Sequence, residues 1–247
     1  TNGAGWTTNT NWLSDPDINT WFGIIVTEEH VTIVSLYGNH LDGIVQETIG
    51  RLTHLRLLEL AGNQIAGPIP ESMGLLIYLE EACFTNNSLT GPIPDSLGNM
   101  SSLLKLSFND NQLSGEIPAS LGNLTNLTKF SLGNNRLTGT IPDSLGQLVN
   151  LDRLEVYKNK LSGEIPDSLG QLTLLEDLLI FENLLTGSIP LSYTNLNLLT
   201  SFDFRKTDLC EPTTPEFLAW KDQVGDGWHG TELICMDYHH YLPIIFR

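Results

Sequence analysis

Positive charge is scarce in this sequence. Twelve lysines and arginines stand against 29 aspartates and glutamates in 247 residues, a formal net charge of −17. Nucleic acid is thereby excluded as a partner, because phosphate contacts need a basic surface. Simple electrostatic docking on anionic lipid is excluded as well. No apolar run approaches the roughly 18 residues that a membrane-spanning helix requires. Catalytic signatures are missing too: no P-loop, nucleotide fingerprint, metal-binding helix or nucleophile elbow occurs. The carboxylates follow a regular surface pattern and do not converge, so no enzyme and no cofactor are expected. His239-His240 lacks the cysteine or carboxylate spacing that would complete a metal site. The three cysteines, Cys83, Cys210 and Cys235, allow one bridge and one free thiol. The chain opens at Thr1 with no leader pattern, as a mature or trimmed product would, and leaves room for further chain at either end.

What is present is a period. From Leu52, steps of 24 residues reach Leu76, Met100, Leu124, Leu148, Leu172 and Leu196. Leu55 begins a second such column and Asn39 a third, the latter running through Asn63, Asn87, Asn111, Asn135, Asn159 and Asn183. A glycine follows each asparagine four residues later, from Gly43 to Gly187, and then Ile-Pro, from Ile69-Pro70 to Ile189-Pro190. One coil cannot bury its own leucines, so coils must stack until their apolar faces form a continuous core. The alternation around Leu58 and Leu60 predicts a short strand in each coil. Neighbouring strands would then pair in a parallel sheet at a spacing of about 4.8 Å. The asparagine amides are placed to bond buried backbone groups of their own and adjacent coils. Proline fixes its own angle and has no N–H to donate, so the opposite side should be extended or turn-like.

Written as L-x-x-L-x-x-L-x-L-x-x-N-x-L-x-G-x-I-P-x-x-L-G-x, the repeat resembles the plant-type leucine-rich repeats. That family includes receptor-kinase ectodomains and secreted inhibitors of pathogen polygalacturonases. The resemblance covers residues 28–209 and implies an α/β-type repeat solenoid: a right-handed superhelix of about eight coils with a parallel, concave β-sheet, capped at both ends. It divides the chain into an N-terminal cap (1–27), the repeats (28–209), a C-terminal cap (210–235) and a tail (236–247). All five tryptophans lie outside the regular coils, as aromatic covers for coil ends would: Trp6, Trp12 and Trp21 before them, Trp220 and Trp228 after them. The N-cap has Asp17 and Val26 where plant members carry a cysteine pair, and the wording of both caps is closer to algal, oomycete or bacterial members. Leu209-Cys210-Glu211-Pro212 resembles the family's C-cap opening, which implies a Cys210–Cys235 disulfide worth about 3 kcal/mol by loop entropy. The resemblance also implies an extracellular or cell-surface location. In that setting the sequons at Asn86, Asn99, Asn123 and Asn126 are glycan acceptors, although a repeat rich in Asn, Ser and Thr also produces such triplets by coincidence.

The register identifies the side chains that should project from the concave sheet. Lys105, Lys129 and Arg153 occupy one column in three successive coils, with Arg136, Lys158 and Lys160 nearby at the turn edge. Such a ladder must be offset by something anionic. Glu81, Asp152, Glu155 and Asp177 could do so within the chain, or a ligand carboxylate, sulfate or acidic protein patch could. Tyr157 and Phe181 are neighbours in adjacent coils and have the character of interface anchors. The candidate ligand-binding set is therefore Lys105, Lys129, Arg153, Glu155, Tyr157, Asp177 and Phe181, together with Tyr37 and Glu59. Cys83 projects outward and is expected to be an inert free thiol, since no base activates it.

The expected function is an extracellular recognition module that binds a protein or peptide. Carbohydrate binding is the alternative that the aromatics support. A structural or ice-binding role is the third, and the mixed, charged strand columns count against ice.

Overall fold

The computed structural model describes residues 7, 8 and 17–235; the expectations for Trp6, Trp12 and the tail lie outside them. A ten-stranded sheet runs through the molecule in the order Ile24–Thr27, His30–Ser35, Leu57–Glu59, Glu81–Cys83, Lys105–Ser107, Lys129–Ser131, Arg153–Glu155, Asp177–Leu179, Ser201–Asp203 and Trp228–His229. The first pair is antiparallel and every later pair is parallel. The strands from His30–Ser35 to Ser201–Asp203 define coils 1 to 8. Their register is in step with the 24-residue period, so Lys105, Lys129, Arg153 and Asp177 stand side by side. The repeat leucines are sealed behind this sheet in one core: Leu103, Leu127, Leu151 and Leu175 have no exposed surface.

On the opposite side, each coil from coil 2 to coil 7 enters a five-residue 3-10 turn through a proline with extended backbone, as at Pro142 before Asp143–Gln147. The helical component of the coils is thus 3-10 turn. The α-helix Pro215–Val224 belongs to the C-terminal cap, where Thr214 caps it by accepting from the Phe217 N–H at 3.3 Å. Short strands on this side form two further sheets, which the repeat pattern did not predict. One has five strands, from Asp42–Ile44 to Arg136–Leu137; the other has three, from Ser162–Gly163 to Asp208–Cys210.

Two ladders of side-chain hydrogen bonds tie coil to coil, and a third column repeats one backbone conformation. The asparagines behave as expected. Asn135 donates to the carbonyls of Phe108 at 2.9 Å and Leu132 at 3.1 Å, while its Oδ1 accepts from the Leu113 N–H at 3.0 Å. The second ladder was not foreseen: Ser96, Ser120, Ser144, Ser168 and Ser192 each donate to a carbonyl of the preceding coil at 2.7 to 2.9 Å. A Cβ on Gly146 would lie 2.5 Å from the Ser168 carbonyl, so this close approach requires glycine. The third is conformational. Asn86, Asp110, Asn134, Lys158, Glu182 and Lys206 occupy one column with φ between 50° and 57°, in the left-handed region that L-residues enter with strain.

The Cys210–Cys235 disulfide is formed. It joins the edge of the three-stranded sheet to the last described residue of the cap.

Candidate functional site

The concave sheet brings most of the expected residues together, with charges arranged differently from a free cationic ladder. Lys105 is paired with Glu81 at 2.7 Å. Arg153 is paired with Asp177 at 2.6 Å and lies 3.4 Å from Glu155. Both cations are therefore offset by the chain itself, each across one coil step. Asp152, named as a possible partner, takes no part in an ion pair among the described residues. Lys129 is exposed and likewise has no ion pair among them. It is the uncompensated cation of the ladder.

Glu155 faces the concave side as expected but sits deeper, and it is buried. The cause lies in the neighbouring coil, where the matching positions are Ser131 and Gly133. These small residues leave a depression, and Asn109 reaches across the whole of coil 5 to donate to Glu155 Oε2 at 2.7 Å. The Oδ1 of Asn109 accepts the Gly133 N–H on the way. Ser107 and Ser131 floor the resulting hollow of about 330 Å³, which Lys105, Lys129, Arg153 and Glu155 also line.

Tyr157 follows Glu155 on the same coil, outside the lining of the hollow. Its ring lies directly over Gly133, where a Cβ would come within 2.5 Å of the aromatic carbons. On its other side it stacks on Phe181, with centroids 4.8 Å apart and planes 2° from parallel. Partial burial pushes the Tyr157 hydroxyl above the ordinary phenol range, and Asp110 and Glu155 push it further.

Of the remaining candidates, Glu59 also lines the hollow and Tyr37 does not. Tyr37 is 73% exposed and sits in coil 1, far from the hollow. Glu59 occupies the N-terminal approach, where its carboxylate accepts from the Ala61 N–H at 2.9 Å. Cys83 is half-buried, and burial raises its thiol above the ordinary value with Glu59 adding to the effect, which suits an inert thiol. Asn109, Ser107 and Ser131 complete the site without having been singled out. Their signal was visible as small or amide side chains beside the charged column.

Of the sequon asparagines, Asn86, Asn99, Asn123 and Asn126 are all exposed. Asn126 differs from Asn99 and Asn123 in that its amide already donates to the Ser101 carbonyl at 2.9 Å. Among the described residues, no helix is long and apolar enough to cross a membrane, and no group of three or more His, Cys, Asp or Glu side chains could hold a metal ion.

A stack of eight coils with one broad parallel sheet, and side chains ranked in columns across it, defines a solenoid repeat protein. Residues 30–219 match the family described as leucine-rich repeat region, and the chain belongs to that family in its plant-type form. No curated protein matches the sequence. Among solved structures, PEPR1–AtPEP1 is 32% identical over 85% of this chain and 29% of that one, with a TM-score of 0.78. The Arabidopsis receptor kinase HAESA ectodomain, in complex with an IDA peptide hormone ligand, is 31% identical over 81% of this chain and 38% of that one, with a TM-score of 0.69. This chain thus spans well under half the length of those ectodomains. A plant ice-binding protein shares the fold, with a TM-score of 0.62 at 22% identity over 92% of this chain and 89% of that one.

Proposed function

We propose that this chain is an extracellular recognition module that binds a protein or peptide on the concave sheet of coils 3 to 7, in the manner of a receptor ectodomain or secreted inhibitor. Lys129 carries the reading. In a chain with a large excess of acid, it is a cation with no carboxylate partner among the described residues, at the rim of a hollow and one coil from the start of a rigid aromatic stack. A carboxylate of the ligand supplies the missing charge, while Tyr157 and Phe181 offer apolar area already fixed in place. Similarity to ectodomains solved with peptide hormones supports the ligand class. The disulfide supports an oxidising compartment.

Carbohydrate stacking is the weaker alternative, because Gly133 and Phe181 already cover the two faces of Tyr157.

The test begins with a partner captured from the secreted fraction of the source organism and measured by calorimetry. Lys129→Glu and Tyr157→Ala should each weaken binding about tenfold or more. Lys105→Gln, which removes an already neutralised charge, should change it only a few-fold. Unchanged affinity in both of the first two variants would remove the concave site from consideration.

The same compartment predicts glycans. Expression through a eukaryotic secretory pathway followed by peptide mass mapping should find sugar on Asn99 and Asn123. Asn126, whose amide is engaged, should remain bare. Occupancy of Asn126 with bare Asn99 and Asn123 would contradict this assignment.

A further inference from the structure

Carboxylates outnumber cations more than two to one in this chain, and most cations that could find one have done so. Arg56, Lys105, Arg153, Arg205, Lys206 and Lys221 are ion-paired. Five cations have no ion pair among the described residues: Arg51, Lys129, Arg136, Lys158 and Lys160. Apart from Arg51, all of these lie on two adjacent coils, 5 and 6.

Three of them, Arg136, Lys158 and Lys160, form one cluster on the turn edge beside the concave face. The backbone fixes it. The Asn135 N–H donates to the Lys158 carbonyl at 3.2 Å, and the Lys160 N–H donates to the Leu137 carbonyl at 2.8 Å, so coil 6 places its two lysines on either side of Arg136. All three side chains are exposed. Arg136 is oriented by a bond to Gln112 Oε1 at 2.9 Å, and no carboxylate pairs with its guanidinium among the described residues. The acids that flank this edge are already engaged: Asp110 accepts from Asn134 at 2.7 Å, and Glu182 accepts from Lys206 at 2.7 Å. Glu182 does feel Lys158. Its carboxyl is held below the ordinary value chiefly by the Lys206 hydrogen bond, with Lys158 and Arg205 contributing. Lys158 also stands in the left-handed column, at φ 50°, where the turn directs its side chain away from the coil.

We propose that the turn edge of coils 5 and 6 is a docking site for an acidic protein segment, contacted by Arg136, Lys158 and Lys160. The cations are spread along an edge about 5 Å from coil to coil, with one residue of chain, Asn159, between the lysines. The buried Asn159 between the two lysines spends its amide on backbone groups, which leaves it nothing with which to help chelate a single phosphate or sulfate. A run of carboxylates on an extended chain matches that spacing. The site is separate from the concave hollow and stands or falls independently of it. The strongly negative surroundings confine attraction to this edge and repel acidic chains elsewhere.

The probe is a fluorescein-labelled octaglutamate peptide followed by anisotropy at about 20 mM and about 300 mM salt. The native chain should bind at low salt and release the peptide at high salt. The triple variant Arg136→Gln, Lys158→Gln, Lys160→Gln should lose about tenfold or more in affinity. A second triple variant, Arg51→Gln, Arg56→Gln, Lys105→Gln, removes the same charge elsewhere and should bind within a few-fold of the native chain. Equal weakening in the two triples would overturn the site, since net charge alone would then be acting. So would a native chain that ignores octaglutamate at low salt, or one that binds dextran sulfate and not the peptide. Lys129→Glu, which damages the concave hollow, should leave octaglutamate binding within a few-fold, so the two sites fail separately.

Discussion

Replacing Asn159 with alanine should destabilise the protein by about 3–5 kcal/mol, although the substitution removes only a small side chain. Asn159 is 8% exposed. Its amide nitrogen donates to the carbonyls of Leu132 at 3.0 Å, Val156 at 3.1 Å and Tyr157 at 3.2 Å, and its oxygen accepts from the Leu137 N–H at 2.9 Å. Alanine orphans a buried N–H and at least one buried carbonyl, each at a cost of about 1–3 kcal/mol. The damage is also placed at the seam between coils 5 and 6. Since a solenoid is held by contacts between neighbours, the loss there should uncouple its two halves. Urea unfolding should show a lower midpoint, and hydrogen exchange should accelerate first around residues 132–161. Asn126→Ala is the matched control, because Asn126 is exposed and its amide donates one bond; about 0.5 kcal/mol is expected. If the two variants unfolded alike, the asparagine ladder would not be what holds the coils together.

How much of this was legible from the sequence depends on the distance over which each feature is decided. Leu127, Asn135 and Pro142 are fixed within one coil, by burial, turn and backbone angle, and repetition makes such positions stand out as columns. The Cys210–Cys235 bridge followed from the family's cap and is present. The burial of Glu155 was not legible, since it depends on Ser131 and Gly133 being small in the coil before it and on Asn109 two coils away. Nor was the rotamer of Tyr157, which is set by the missing side chain of Gly133. The Lys105–Arg153 ladder showed correctly as a column. Which of its members found a carboxylate is decided by side-chain reach between coils, and only Lys129 did not. The serine ladder was there to be read at the same 24-residue step, from Ser96 to Ser192. It was overlooked because serine is unremarkable at an exposed turn until its carbonyl partner is seen.

At the other end of the molecule, Lys221→Met should cost about 3–5 kcal/mol and open the C-terminal cap. Glu211 is 3% exposed, with one carboxylate oxygen bonded to Lys221 and the other accepting from the Trp228 indole N–H at 3.1 Å. Lys221 also lies over the Trp228 ring, 5.1 Å from its centroid. Removing the ammonium leaves a buried carboxylate with one neutral donor, which is far worse than never having buried the pair. The strain falls on Trp228–His229, the last strand of the main sheet, and on the packing of Trp228 against Phe202, Phe204, Phe217 and Trp220. The double variant Lys221→Met, Glu211→Leu separates a broken ion pair from a damaged core. It buries apolar groups of similar size and leaves only the indole N–H without its acceptor, so its net loss should be about 1 kcal/mol. The readouts are the thermal midpoint and the tryptophan fluorescence of the cap, both taken with the disulfide intact. A double variant as unstable as Lys221→Met would mean that the pair acts through packing and not through charge. A Lys221→Met variant within about 0.5 kcal/mol of the native chain would mean that water already reaches Glu211.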